Sequence, residues 1–171
     1  LAPGMNLQRD PLCGRNFEYF SEDPLLTGRM GANYVKGVQL QGVSACPKHF
    51  ALNNQETNRN YNDSRCSERA QRELYLKGFE ICIKEAKPLN LMTSYNKVNG
   101  EWAYYNYELM TTILRDEWGY DGVLMTDWWI REDTCDYMDN TWNNAYRVRA
   151  NTDLLMPGEG PYGSGSADQS L

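Results

Sequence analysis

The residues best suited to chemistry stand where short apolar runs stop. Gly122-Val123-Leu124-Met125-Thr126-Asp127-Trp128-Trp129 is a strand-like stretch that ends in a carboxylate with two indoles directly behind it. A charge that can attack or stabilise an anomeric carbon, beside flat rings that can cover a sugar face, is equipment for carbohydrate chemistry. Two further apolar runs also end in polar groups: residues 43–50 close on Lys48-His49-Phe50, and residues 89–95 close on Ser94-Tyr95.

Such ends need strands and helices to position them. Residues 43–50, 89–95 and 122–127 read as short buried strands, the first interrupted by Pro47, with 150–156 as a weaker fourth. Their apolar content without clean alternation fits strands covered on both faces, as in parallel sheets. Helices fill the gaps. Ser67 is placed to cap a helix running to Lys87, with Glu68 in the first turn, Ala70, Leu74, Ile81 and Ala86 near one face, and Pro88 ending it. A second helix opens at Asn106, buries Leu109, Met110, Ile113 and Leu114, and stops at Gly119. A third covers residues 22–36, with Pro24 in its first turn.

This alternation predicts an α/β fold of right-handed βαβ units, either a doubly wound sheet or a (β/α)₈ TIM-type barrel. Lys48-His49, Tyr95 and Asp127 each end a different strand, which is where barrel enzymes assemble their sites. No glycine-rich phosphate loop follows any strand, so a dinucleotide or P-loop fold lacks its cradle. The barrel is therefore preferred. Closing eight strands usually takes about 250 residues, so residues 1–171 are expected to form an incomplete one, aggregation-prone and inactive by itself.

With 17 basic and 23 acidic residues the net charge is −6, which argues against a nucleic-acid or anionic-membrane surface and leaves a neutral ligand easy to accept. No apolar run approaches the roughly 20 residues of a membrane span. Cysteines 13, 46, 66, 82 and 135 show no C-x-x-C spacing, and their odd number leaves one unpaired within the chain. A reducing, cytoplasmic location is the milder expectation, with a secreted or periplasmic one left open because no signal peptide can be seen or excluded. The sequon Asn62-Asp63-Ser64 is a weak counter-signal. One histidine and scattered cysteines give no closed metal-ligand set, and no cofactor is expected. Residues 158–171 are rich in Gly and Ser and read as a loop.

Seven ordered motifs together carry a family resemblance: Ala2-Pro3-Gly4-Met5-Asn6; Gly14-Arg15-Asn16-Phe17-Glu18 with Ser21-Glu22-Asp23-Pro24; Lys48-His49-Phe50; Asn53-Asn54-Gln55-Glu56; Ser67-Glu68-Arg69-Ala70; Met92 to Gly100; and Met125-Thr126-Asp127-Trp128-Trp129. The chain resembles glycoside hydrolase family 3, of the β-glucosidase and β-xylosidase type. The resemblance implies a retaining hydrolase of terminal β-D-glucosyl residues, with Asp127 as the nucleophile that forms a glycosyl-enzyme intermediate. It also implies that Arg15, Lys48, His49 and Tyr95 line the first sugar subsite, that Trp128 flanks the entrance, and that the acid/base is a glutamate on a C-terminal α/β sandwich domain absent from this chain. The partners so implied are a β-linked oligosaccharide or an aryl or alkyl glucoside, and that further domain. Neutral sugars are held by directional hydrogen bonds and stacking, which Arg, Lys, His, Tyr and Trp supply.

Plainer roles compete for the same residues. Asp127 could cap a helix after its strand, His49 could be a satisfied structural histidine, and Arg15 could pair with Glu18 or Asp10. Tyr95 and Trp128 could be core aromatics. Trp102 and Trp129 are expected to pack, and Glu56, Glu68, Arg69 and Asn99 to serve as scaffold. Two other functions remain open: a noncatalytic sugar-binding remnant, and β-xylosidase or β-N-acetylhexosaminidase chemistry on the same scaffold. Residues 48–54 read Lys48-His49-Phe50-Ala51-Leu52-Asn53-Asn54, without the second histidine of the amino-sugar branch.

Overall fold

The computed structural model describes residues 1–130 and 144–157. The expected 158–171 loop and Cys135 lie outside them; Cys13, Cys46, Cys66 and Cys82 are free thiols. Six strands are present: β1 (Asp63–Ser64), β2 (Asn90–Met92), β3 (Lys97–Val98), β4 (Glu101–Trp102), β5 (Val123–Trp128) and β6 (Leu154–Met156). The α-helices are α1 (Pro24–Gln39), α2 (Glu68–Ala70), α3 (Lys77–Ala86) and α4 (Asn144–Arg149), and π-helical turns occupy Gln71–Tyr75 and Glu108–Glu117.

The parallel pairing runs in chain order. Gly4 bridges Lys48, Phe50 bridges Thr93, β2 pairs with β5, and β5 pairs with β6, every pair parallel. Residues 43–50 do not form the continuous strand expected of them. Pro47 has no N–H to give a ladder, and its carbonyl accepts from the Met92 N–H at 3.1 Å, leaving single bridges at Lys48 and Phe50. A second, smaller sheet joins β1 parallel to β3 and β3 antiparallel to β4. Asn99 and Gly100 connect the last two at φ 51° and 96°, the pairing that a two-residue hairpin turn requires.

Period-two alternation separates the faces of the larger sheet. Leu91 and Leu124 join Phe50, Phe79, Ile83, Leu109, Ile113 and Leu114 in the main core, on the side covered by helices. Their neighbours Met92 and Met125 turn the other way and cluster with Cys46, Trp128 and Met156. Strands covered on both sides explain why the sequence shows apolar runs without alternation.

The helix caps follow local chemistry. Asp23 accepts from the Leu26 N–H at 2.8 Å with Pro24 in the first turn, so α1 starts two residues later than expected and runs on to Gln39. Ser67 accepts from the Ala70 N–H at 3.2 Å, as its sequence position predicts. The helix beyond it departs from expectation, because the π turn at Gln71–Tyr75 breaks the 3.6-residue period. Leu74 is consequently exposed, and Leu76, Phe79, Cys82, Ile83 and Ala86 form the buried face. The segment after Asn106 buries Leu109, Met110, Ile113 and Leu114 as expected, although it is π-helical, and Gly119 ends it at φ 70°.

Helices α1 and α3 cross closely at Gly28 and Gly78. A Cβ on Gly28 would lie 2.8 Å from Ile81 Cβ and 3.1 Å from the Gly78 carbonyl oxygen. Gly28→Ala should therefore destabilise the full-length protein by about 2 kcal/mol in urea unfolding, the cost of overpacking a close contact. Gly37→Ala, on the same helix with open space around it, should be neutral or stabilising.

Candidate active site

Asp127 stands near the end of β5, beside a change of register. Between the pairs Met125↔Leu154 and Trp128↔Met156, β5 carries one residue more than β6. Such a bulge bends a strand and re-aims its side chains. The Asp127 carboxylate is buried, and the Trp128 backbone N–H donates to its Oδ1 at 2.8 Å. Oδ2 has no protein hydrogen-bond partner, since His49 Nε2 lies 3.7 Å away, too far for one. The Tyr95 hydroxyl donates to the Trp128 carbonyl oxygen, and it also lies close enough to the carboxylate to help hold its pKa down.

His49 reaches Asp127 from the parallel segment on the far side of β2. Asn6 holds its backbone from both sides: the Asn6 side-chain amide donates to the His49 carbonyl at 3.0 Å, and Asn6 Oδ1 accepts from the His49 N–H at 2.9 Å. The imidazole Nδ1 is buried without a partner.

Three cations surround this pair, each tied to a carboxylate of its own loop or of a neighbouring one. Glu18 accepts from Arg15 Nε through Oε1 and pairs with Lys48 Nζ through Oε2 at 3.2 Å. Glu56 accepts from Arg59 Nη1 through Oε2 and from Asn53 Nδ2 through Oε1, both at 2.9 Å. The Arg59 guanidinium lies 4.5 Å from the Tyr95 ring centroid, a cation–π distance.

The electrostatics follow from burial and from these charges. Burial raises the Asp127 carboxyl above its ordinary range, opposed by the Trp128 N–H, Arg59, Arg15 and Tyr95 in that order. His49 is held well below its ordinary value, first by burial and then by Arg15, Lys48 and Arg59, so its imidazole is neutral. Burial, then the charge of Asp127, pushes the Tyr95 phenol up to about 12. Burial works against the Arg15 charge, but Glu18 outweighs it and the guanidinium pKa rises.

Arg15, Lys48, His49, Tyr95 and Asp127 are thus brought together from four segments of the chain. Arg15 makes the Glu18 pair that its spacing allowed, and it also acts on His49 and Asp127. Trp128 contributes its backbone N–H and carbonyl, while its partly buried indole joins the Cys46, Met92, Met125 and Met156 cluster. Trp102 packs, stacked on Tyr104. Trp129 does not pack: with φ at 50° it turns away from the strand and is 75% exposed.

Sequence reasoning missed Arg59 and Asn6 and took Glu56 for scaffold. Arg59 follows Asn58, whose φ of 54° reverses the chain. No periodicity marks such a loop residue as inward-facing. A buried, apolar-flanked Asn6 was the one signal available for its role.

The pattern described as the glycosyl hydrolase family 3 N terminal domain matches residues 1–164. A β-glucosidase of Ruminococcus albus is 53% identical over 156 residues, which is 91% of this chain and 16% of that protein. An exo-α-(1→6)-L-arabinopyranosidase of Bifidobacterium longum is 52% identical over 128 residues, 75% of this chain and 17% of that one. The structure of β-glucosidase 3B from Thermotoga neapolitana in complex with α-D-glucose superposes with a TM-score of 0.85 at 51% identity, covering 93% of this chain and 21% of that one. The chain therefore spans about a fifth or less of the length of these relatives. On the match over residues 1–164 and these identities, the chain belongs to glycosyl hydrolase family 3, in its N-terminal domain.

Proposed function

We propose that this chain is the nucleophile-bearing part of a retaining β-glycosidase, with β-D-glucosides as substrates. The observation that carries the reading is the state of Asp127: one oxygen anchored by the Trp128 N–H, the other buried without a donor, amid the fields of two arginines. In this reading Oδ2 attacks the anomeric carbon as the bond to the leaving oxygen breaks, giving a glycosyl-aspartate. Water then attacks the same carbon and frees Asp127. Arg15, Lys48, Arg59 and neutral His49 offer donors for sugar hydroxyls, and Trp128 borders the leaving-group side.

A general acid must sit about 5–5.5 Å from the nucleophile and bring a proton to the leaving oxygen. Glu18 and Glu56 do not suit that task, because both oxygens of each are already engaged, those of Glu18 by Arg15 and the Lys48 ammonium and those of Glu56 by Arg59 and Asn53. The acid/base is assigned instead to a part of the protein outside the described residues, in keeping with the small share of each relative that this chain spans. The parallel segments lie in chain order with no reversal among the described residues, whereas a doubly wound sheet reverses at a switch point. This supports an arc of a (β/α)₈ barrel, with the site at the carboxyl ends of its strands. The arabinopyranosidase among the relatives supports a second substrate, a pentopyranoside, for the same nucleophile.

Three measurements on the full-length protein test this. Reaction with a 2-fluoroglucoside should leave the label on Asp127 by peptide mass spectrometry, and a label elsewhere refutes the assignment. Asp127→Ala should lower kcat for an aryl β-glucoside by about 10⁴-fold; unchanged turnover rejects the proposal. In a panel of aryl β-glucoside, β-xyloside, α-L-arabinopyranoside and N-acetylglucosaminide, the first should be preferred, and preference for the arabinopyranoside selects the second reading.

Neutral His49 also gives stability a pH dependence. Its folded-state pKa is depressed, so below pH 6.5 the unfolded chain takes up a proton that the folded one refuses. The stability it contributes is present above that pH and is lost as the pH falls, by up to about 1.4 kcal/mol per pH unit. The raised Asp127 carboxyl acts in the opposite direction. Unfolding midpoints of His49→Gln should fall less steeply between pH 7 and 5 than those of the parent protein, and equal slopes would show that the imidazole charges freely in the fold.

A further inference from the structure

We propose that Glu56 is a positioning residue: it holds the Arg59 guanidinium over the Tyr95 ring, within range of Asp127, and keeps that cation from closing onto the free carboxylate oxygen. The inference rests on the hydrolase reading above and assigns to Glu56 a task that a merely structural loop residue would not have.

A buried nucleophile needs positive charge nearby to remain ionised, yet a cation in contact with its attacking oxygen occupies the lone pair that must form the new bond. The site meets the two needs by tethering. Arg15 and Lys48 share Glu18, and Arg59 is held by Glu56. Glu56 is fixed in turn at its other oxygen by Asn53, which is 1% exposed and does not move freely. The Cβ of Glu56 lies 3.6 Å from where a Cβ on Gly14 would be, so the loop that carries Arg59 abuts the loop that carries Arg15. Three cations, Arg15, Lys48 and Arg59, face three carboxylates, Glu18, Glu56 and Asp127. Removing Glu56 takes away the carboxylate that Arg59 pairs with and leaves the guanidinium within electrostatic range of Asp127.

The groups that face Asp127 come from several elements: His49 and Cys46 from the second parallel segment, Tyr95 after β2, Arg15 and Arg59 from loops, and the Trp128 N–H. Burial keeps His49 neutral, and it pushes Cys46 and Tyr95 each up to about 12. Cys46 and Tyr95 therefore carry no charge at acid pH, and the acidic limb of kcat/KM reports the carboxylate together with the charges around it.

The test is kcat/KM against pH for an aryl β-glucoside, using the full-length protein, Glu56→Gln and Glu56→Asp, with thermal midpoints as a fold control. Gln has one acceptor oxygen where Glu56 uses two, so it cannot reproduce both bonds in their present geometry, and it carries no charge. E56Q should lower kcat/KM by about 10²-fold at neutral pH and move the acidic limb down by about one pH unit as Arg59 closes on Asp127. E56D keeps the charge, so its limb should stay at the wild-type pH while kcat/KM falls by a smaller factor. An E56Q limb at the wild-type pH, or an E56D limb displaced as far as that of E56Q, overturns the proposal. Should E56Q not fold, E56D decides alone: a displaced limb or unchanged kcat/KM overturns it. Absence of turnover by the wild-type protein on every aryl glycoside defeats the hydrolase reading itself and this inference with it, before any variant is compared.

Discussion

Keeping a carboxylate ionised out of water, without letting any cation consume it, is the constraint on which the rest of this structure depends. Burial alone disfavours the charge of Asp127 and raises its pKa. A direct ion pair would offset that cost and would also cover the oxygen that the proposed nucleophilic role leaves free. The site keeps the compensating charge at a distance instead. One backbone N–H anchors Oδ1, and the guanidinium groups of Arg59 and Arg15 act through space while bound to Glu56 and Glu18. Burial, reinforced by the neighbouring cations, keeps His49 neutral, so the single histidine offers hydrogen bonding without adding a fourth positive charge. Three cations set against three carboxylates are consistent with the neutral sugar proposed above.

Placement of these groups is a consequence of sheet geometry. In parallel strands successive side chains alternate faces, so Leu91 and Leu124 enter the helix-covered core while Met92 and Met125 turn to the opposite side. Asp127 follows Met125 by two residues and shares its face. The bulge between β5 and β6 then sets the direction of the carboxylate, and the Trp128 peptide serves twice, donating to Asp127 and accepting from Tyr95. The close crossing of α1 and α3 at Gly28 and Gly78 brings the helices near each other behind the sheet. Strands behind these loops are what allow the side chains of residues 15, 48, 49, 59, 95 and 127 to meet.

Several features were legible residue by residue because their causes are local. Asp23 with Pro24, Ser67 before Glu68, and Gly119 after an apolar helix face each mark a helix end through hydrogen-bond or φ requirements that no distant contact alters. Asn99-Gly100 carries an equally local turn signal, realised between β3 and β4. The π turn at Gln71–Tyr75 was not legible, since a 3.6-residue period assumes an uninterrupted α-helix, and Leu74 was accordingly assigned to the wrong face. Trp129 was read as packing on its apolar character, but the backbone conformation at its position directs it outward.

What the sequence by itself determined was the polar residue types near the ends of the apolar runs, the helix-capping residues, the α/β class and the family, because these depend on residue type, on order and on contacts a few positions apart. What only the tertiary structure decided was which of those groups face one another: that Glu18 serves both Arg15 and Lys48, that Arg59 reaches Tyr95 and Asp127, and that Asn6 clamps His49. Those pairings join segments far apart in the chain, and they are set by strand register, a bulge and loop reversals whose energies come from packing across the fold.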